Sequence, residues 1–204
     1  MRANSITRWA LAVLFTCGLG IHNASAAAIE FASSNVDFTN GQWSLGFVFD
    51  VLNNVNVTAL GFYDDGGNDL TERHEVGIFD SAGTLLVSTF VSPGDPLVGH
   101  FRYDAISPFF LGAGTGYRIA ASTGNENYTW DPNGFVTDPN IAYVTDAFTP
   151  SGSLVFPAVG GTVSAGYFGP NFQLDAAVPE PSTLLLLGGG LAGALARRRR
   201  AQKA

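Results

Sequence analysis

The chain has 204 residues with 10 basic and 17 acidic side chains, a formal net charge of −7, and a single cysteine. That length holds one ordinary domain once targeting segments are set aside. Only Arg73, Arg102 and Arg118 are basic between residues 27 and 177, against sixteen acidic residues, a net of −13 with no lysine, which excludes a phosphate-binding surface for nucleic acid. Cys17 lies in the apolar leader, so disulfides, cysteine–zinc sites and thiol chemistry are excluded from the body.

Taken in chain order, the first element is an export signal over residues 1–26. Arg2 and Arg8 form a basic start, Trp9 to Gly20 an apolar helical run, and Ala24-Ser25-Ala26 a small-x-small cleavage pattern with the cut placed after Ala26. General secretion machinery and a signal peptidase are the partners this implies.

Residues 27–177 show no useful helical periodicity. Short runs rich in β-branched and aromatic residues recur instead, at Trp43 to Val51, Val57 to Tyr63, Glu75 to Phe79, Leu85 to Val91, Gly99 to Ile106, Gly116 to Ser122, Asn140 to Thr145, Gly161 to Phe168 and Phe172 to Leu174. Turn-forming clusters separate them, among them Asp64 to Asn68, Asp80 to Gly83, Pro93 to Pro96 and Asp131 to Gly134. Eight or nine strands without crossover helices predict an all-β fold, an antiparallel β-sandwich of jelly-roll-like type. The 15 Phe, 6 Tyr and 2 Trp of this segment are enough to fill a core between two sheets.

Three features of the body carry chemistry. Asp64, Asp65, Asn68 and Asp69 stand on a glycine-permissive turn and offer oxygen ligands to calcium, although the spacing is not that of an EF-hand; a solvated hairpin loop capped by its own Asp and Asn side chains explains the same residues. Tyr128 and Trp130, with Trp43, offer aromatic faces to carbohydrate, the alternative being plain packing. His74-Glu75 lacks a second histidine at helical spacing and sits on a strand pattern, so it is no zincin site and His74 reads as structural. No nucleophile elbow, P-loop or dinucleotide fingerprint is present, and no carboxylate pair stands out as a glycosidase centre.

The last element, residues 178–204, begins Val178-Pro179-Glu180-Pro181. Fifteen uncharged residues follow, Ser182 to Ala196, and then Arg197, Arg198, Arg199 and Arg200. As a helix the apolar run would span about 22 Å at 1.5 Å per residue, short of a bilayer core of about 30 Å. The arginines orient it with the body outside the inner membrane. Gly189 and Gly193 give it a smooth face suited to close approach by a partner helix, and the flanking prolines hold the chain extended just outside the membrane.

Those three parts, in that order, resemble the PEP-CTERM sorting signal of Gram-negative bacteria. The resemblance implies recognition by an exosortase that cuts near Pro-Glu-Pro, passage through an inner-membrane-anchored intermediate, and delivery to the cell envelope or extracellular matrix alongside exopolysaccharide. A second likeness is carried by NVTALGFYDDGGNDLTERHEVGIFDSAGTLLVSTFV, residues 56 to 91, which is similar to a domain-of-unknown-function family of secreted bacterial proteins. That likeness runs from about Phe38 to Ser122 and implies a β-sandwich-like module. The expected function is that of an exported, exosortase-processed, non-enzymatic surface or matrix protein. A carbohydrate-binding module for the matrix polysaccharide is the alternative, and a glycoside-active enzyme the third reading.

Overall fold

The computed structural model describes residues 25–31, 36–130, 134–161 and 166–175. The predicted signal helix, the Pro-Glu-Pro segment at Val178 to Pro181, the short apolar span and Arg197 to Arg200 lie outside the described residues. Among the described residues no helix is long and apolar enough to cross a membrane.

Sixteen strands are described: Ser25–Ala27 (β1), Ile29–Phe31 (β2), Val36–Phe38 (β3), Trp43–Val51 (β4), Val55–Tyr63 (β5), His74–Phe79 (β6), Leu85–Val91 (β7), Leu97–Val98 (β8), Phe101–Leu111 (β9), Gly114–Ser122 (β10), Tyr128–Trp130 (β11), Phe135–Thr137 (β12), Ile141–Pro150 (β13), Val159–Gly160 (β14), Tyr167–Phe168 (β15) and Pro170–Asp175 (β16). They form a six-stranded sheet in the order β14-β13-β4-β10-β6-β7 and a five-stranded sheet in the order β1-β16-β5-β9-β8. Two small ribbons, β15-β11-β3 and β12-β2, complete the fold.

Every pairing between these strands is antiparallel. The chain changes sheet between β4 and β5, β5 and β6, β7 and β8, β9 and β10, and β13 and β16, so an all-β antiparallel sandwich is the observed class. The predicted strands at Trp43–Val51 and Leu85–Val91 have the observed bounds. Of the strand expected over 161–168, only Tyr167–Phe168 (β15) is described as strand; β14 ends just before it at Gly160, and 162–165 lie outside the described residues.

The core is aromatic, as 23 rings in one sandwich require. Phe47 and Phe49 of β4, Phe62 of β5, Phe168 of β15 and Phe172 of β16 are fully buried. Phe49 meets Phe172 across the sandwich with ring centroids 5.0 Å apart. Burying an aromatic or large aliphatic side chain stabilises by about 1.5–3 kcal/mol, so this cluster supplies the driving force that a disulfide-free domain needs.

On β5 the alternation has a consequence for the surface. Leu60 and Phe62 belong to the main core, whereas Ala59 and Tyr63 belong to a second small cluster with Phe101 and Tyr103 of β9. Val57 also faces the main core because a register irregularity between Val57 and Ala59 reverses the parity. The five-stranded sheet therefore carries an aromatic patch on its outer face, and Phe31 of β2 packs on it.

Buried Asn171 on β16 explains why β2 lies there. Its Nδ2 donates to the Ile29 carbonyl at 2.8 Å and its Oδ1 accepts from the Ile29 N–H at 3.2 Å. One side chain thus satisfies both backbone groups of a residue that is 1 % exposed.

Candidate functional site

The acidic loop is built around a cation of the protein itself. Gly66 and Gly67 both adopt φ of +68°, which a left-handed turn demands and glycine supplies, and Asp69 follows at φ +87°. This reversal points Asp64 and Asp69 at one guanidinium. Arg102 Nε donates to Asp64 Oδ2 at 2.7 Å and lies 3.0 Å from Asp69 Oδ1, while its Nη1 donates to the Asp95 carbonyl at 2.7 Å.

Asp69 Oδ1 also accepts from the backbone N–H of Gly94 at 2.9 Å and of Leu70 at 3.0 Å. The Gly94 hydrogen bond, then that of Leu70 and the Arg102 charge, hold the Asp69 carboxyl below its ordinary range. Asp64 Oδ1 is buried without a hydrogen-bond partner. Among the described residues no group of three or more His, Cys, Asp or Glu side chains is arranged to hold a metal ion, and the cation seated between Asp64 and Asp69 is Arg102.

The predicted aromatic platform is reshaped. Asn40, Trp43, Leu45, Tyr128, Phe148 and Tyr167 line a shallow cup of about 160 Å³, and Trp130 is not among them. Trp130 pairs with Val36 and Tyr167 in the β3-β11-β15 ribbon and its Nε1 is buried without a partner. Asn40 Oδ1 accepts from Trp43 Nε1 at 3.0 Å and from the Tyr128 hydroxyl at 2.5 Å, so the two polar rings share one acceptor. Trp43 also packs edge-on against Phe148 at 5.7 Å, and Tyr128 against Tyr167 at 6.0 Å. The indole and the phenol are thereby locked in place, with the amide of Asn40 at the solvent edge.

A further cleft, of about 300 Å³, lies on the outer face of the five-stranded sheet. β2 forms one wall with Ile29, Glu30 and Phe31, and the tip of the β8–β9 hairpin forms the other with Val98, His100 and Phe101. Tyr103 closes the floor. Its ring lies flat on Gly61, where a Cβ would stand 2.5 Å from the ring carbons, so only glycine leaves room for it. Phe31 is the hub of the wall, 5.6 Å from the His100 ring and 5.3 Å from Phe101.

Tyr103 is 4 % exposed and its hydroxyl has no hydrogen-bond partner. Burial, with the negative charge of Glu30 adding to it, holds the phenol well above its usual range, so it stays protonated. On the other side of Glu30 a smaller hollow of about 200 Å³ includes Asp138, whose Oδ1 caps its own turn by accepting from the Asn140 N–H at 2.8 Å. Neither Glu30 nor Tyr103 is conspicuous in the sequence. Ile29-Glu30-Phe31 is too short a run to read as a strand, and only the fold brings it to Tyr103.

His74 is 1 % exposed and stacks on Phe62 at 3.9 Å with rings 8° from parallel. Nδ1–H donates to the Ser122 carbonyl at 2.9 Å, Nε2 has no partner, and burial pushes the imidazole below its ordinary range. It is a neutral core residue, as its place at a strand start suggested.

Together these features define an acidic antiparallel β-sandwich whose recesses open on the surface and are floored by aromatic rings. The chain belongs to the family described as domain of unknown function DUF4082, whose model matches residues 31–168. Residues 177–200 match the PEP-CTERM protein-sorting motif, which makes this an exported protein directed to an exosortase. No curated protein and no solved structure matches the chain.

Proposed function

We propose that the protein is a non-enzymatic component of the cell surface or extracellular matrix, freed from its membrane-bound intermediate by the exosortase and held in an exopolysaccharide-rich layer. The observation that carries this reading is the sorting motif behind a single acidic β-sandwich. A domain of net charge −13 without lysine suits a hydrated extracellular layer and repels nucleic acid.

Extraction of producing cells tests it. The protein is expected to co-extract with matrix polysaccharide, and a variant replacing Pro179, Glu180 and Pro181 with alanine is expected to stay in the inner membrane. Release of the variant into the matrix would contradict the reading, as would liberation of reducing sugar from the polysaccharide by the purified protein.

The cup around Trp43 favours a second reading, a carbohydrate-binding module. Its rings are held in place before any ligand arrives, which lowers the ordering cost of binding. At about 160 Å³ it falls below the roughly 300–1,000 Å³ of pockets for drug-sized ligands and suits one sugar ring at a chain end. Glycan binding lost on Trp43→Ala supports it, and binding indifferent to that change sinks the cup as the site.

A further inference from the structure

Three polar side chains line the cleft between β2 and the β8–β9 tip, Glu30, His100 and Tyr103, and the first and last have opposite needs. Tyr103 lines it, and its hydroxyl is buried and unpartnered. Leaving such a group without a hydrogen bond costs about 1–3 kcal/mol, a cost that a purely structural tyrosine would avoid as phenylalanine. Glu30, on the wall, is exposed and accepts hydrogen bonds only. Glu30 and Tyr103 line the same cleft.

A ligand that satisfies both must accept from the phenol and donate to the carboxylate. A hydroxyl does both, whereas a carboxylate or phosphate is repelled by Glu30 and an ammonium offers the phenol no acceptor. No lysine or arginine lines the cleft to receive an anion. Ile29, Phe31, Val98 and Phe101 provide an apolar surface beside these polar groups, which matches a pyranose with C–H bonds on one face and hydroxyls on its rim.

We propose that this cleft binds a neutral hexose unit of a polysaccharide, with one hydroxyl bridging Tyr103 and Glu30 and the C–H face resting on Phe31 and Phe101. The site is separate from the Trp43 cup and shares with it only the ligand class. Asn171 is a positioning residue, since it holds β2 and therefore Glu30 and Phe31 against the sheet.

The test is titration of the exported protein, followed by calorimetry and by NMR, with short neutral hexose oligosaccharides (glucans, mannans and galactans) and with their uronate counterparts. At least one neutral series is expected to bind and the uronates to bind more weakly. Tyr103→Phe and Glu30→Gln are each expected to weaken binding about tenfold, the equivalent of one hydrogen bond at roughly 1.4 kcal/mol. Tyr103→Phe is expected to keep or raise Tm, so that a loss of binding is not a loss of fold.

Unchanged affinity in both variants overturns the proposal, and so does equal binding of the uronates. Binding lost only in Trp43→Ala returns the ligand to the cup, overturning this site while preserving the module reading. No binding by any neutral oligosaccharide overturns both.

Discussion

The Asp64 loop and the Glu30 cleft lie at neighbouring parts of the β5–β9 pairing, and they treat their polar groups in opposite ways. In the loop, two carboxylates close on Arg102 and on backbone N–H groups. In the cleft, a carboxylate, an imidazole and a buried phenol without a partner line a cavity that has no lysine or arginine. An abundance of acidic residues in the sequence therefore does not by itself mark an open site, since two of these carboxylates already hold an arginine.

Removing the loop's cation breaks this comparison most severely. Arg102→Ala leaves Asp64 buried and uncompensated, and is expected to destabilise by about 3–5 kcal/mol in denaturant unfolding. The same variant sharpens the comparison with calcium: the ion is expected to raise the Tm of Arg102→Ala and to leave the native protein unchanged. A calcium-dependent Tm in the native protein would show that the loop takes a metal beside its arginine.

Asn171→Ala orphans both backbone groups of Ile29 and is expected to cost about 2–3 kcal/mol. It should also raise hydrogen exchange at β2 while leaving the Asp64 loop protected. Exchange raised equally in both would mean that the cleft wall is not an independent element.

Beneath both regions, the inner face of β5 carries Phe62 against His74. Because burial depresses the folded imidazole, the unfolded chain binds the extra proton between the folded value and about 6.5. The contribution of His74 is thus fully present above about pH 6.5 and is lost as pH falls through the folded value. Thermal melts across this range should show that loss, and His74→Gln should lower Tm while removing this part of the pH slope.

Tyr103→Phe is expected to raise stability by about 1 kcal/mol, the lower end of the cost of a buried hydroxyl without a partner, because it deletes that group. The smallest effect is at the sheet edge. β1 pairs Ser25 with Asp175 and Ala26 with Leu174, so a cut after Ala26 removes two of the three residues of that strand. A chain beginning at Ala27 should be less stable than one beginning at Ser25 by under about 1 kcal/mol, since the lost pairs lie at an exposed edge.

Long runs of β-branched and aromatic residues between turn signals, such as Trp43–Val51 and Leu85–Val91, were legible as strands because their length and composition suffice to define them. The three-residue strands β1, β2, β3, β11 and β12 were not. Each is stabilised by a distant partner, as Glu30 is by its pairing with Val136 and Tyr128 by its pairing with Phe38. The same limit governs the sites. Asp64 and Asp69 announce themselves as a cluster, but their cation stands more than thirty positions away at Arg102. Tyr128 and Trp130 were read with Trp43 as one aromatic platform, whereas the cup holds Tyr128 and Trp43 without Trp130 and adds Tyr167 and Phe148 from distant segments. Glu30, His100 and Tyr103 carry no local signal at all, since a floor and two walls exist only once the sheets have formed.

The central claim is that this acidic sandwich is delivered to the outside by processing at both ends. Intact mass measurement of the protein recovered from the extracellular fraction tests it most directly. The account predicts a chain that begins at Ala27 and ends near Val178 to Pro181, without Arg197 to Arg200. An extracellular chain that still carries the arginine cluster and ends at Ala204 would contradict it.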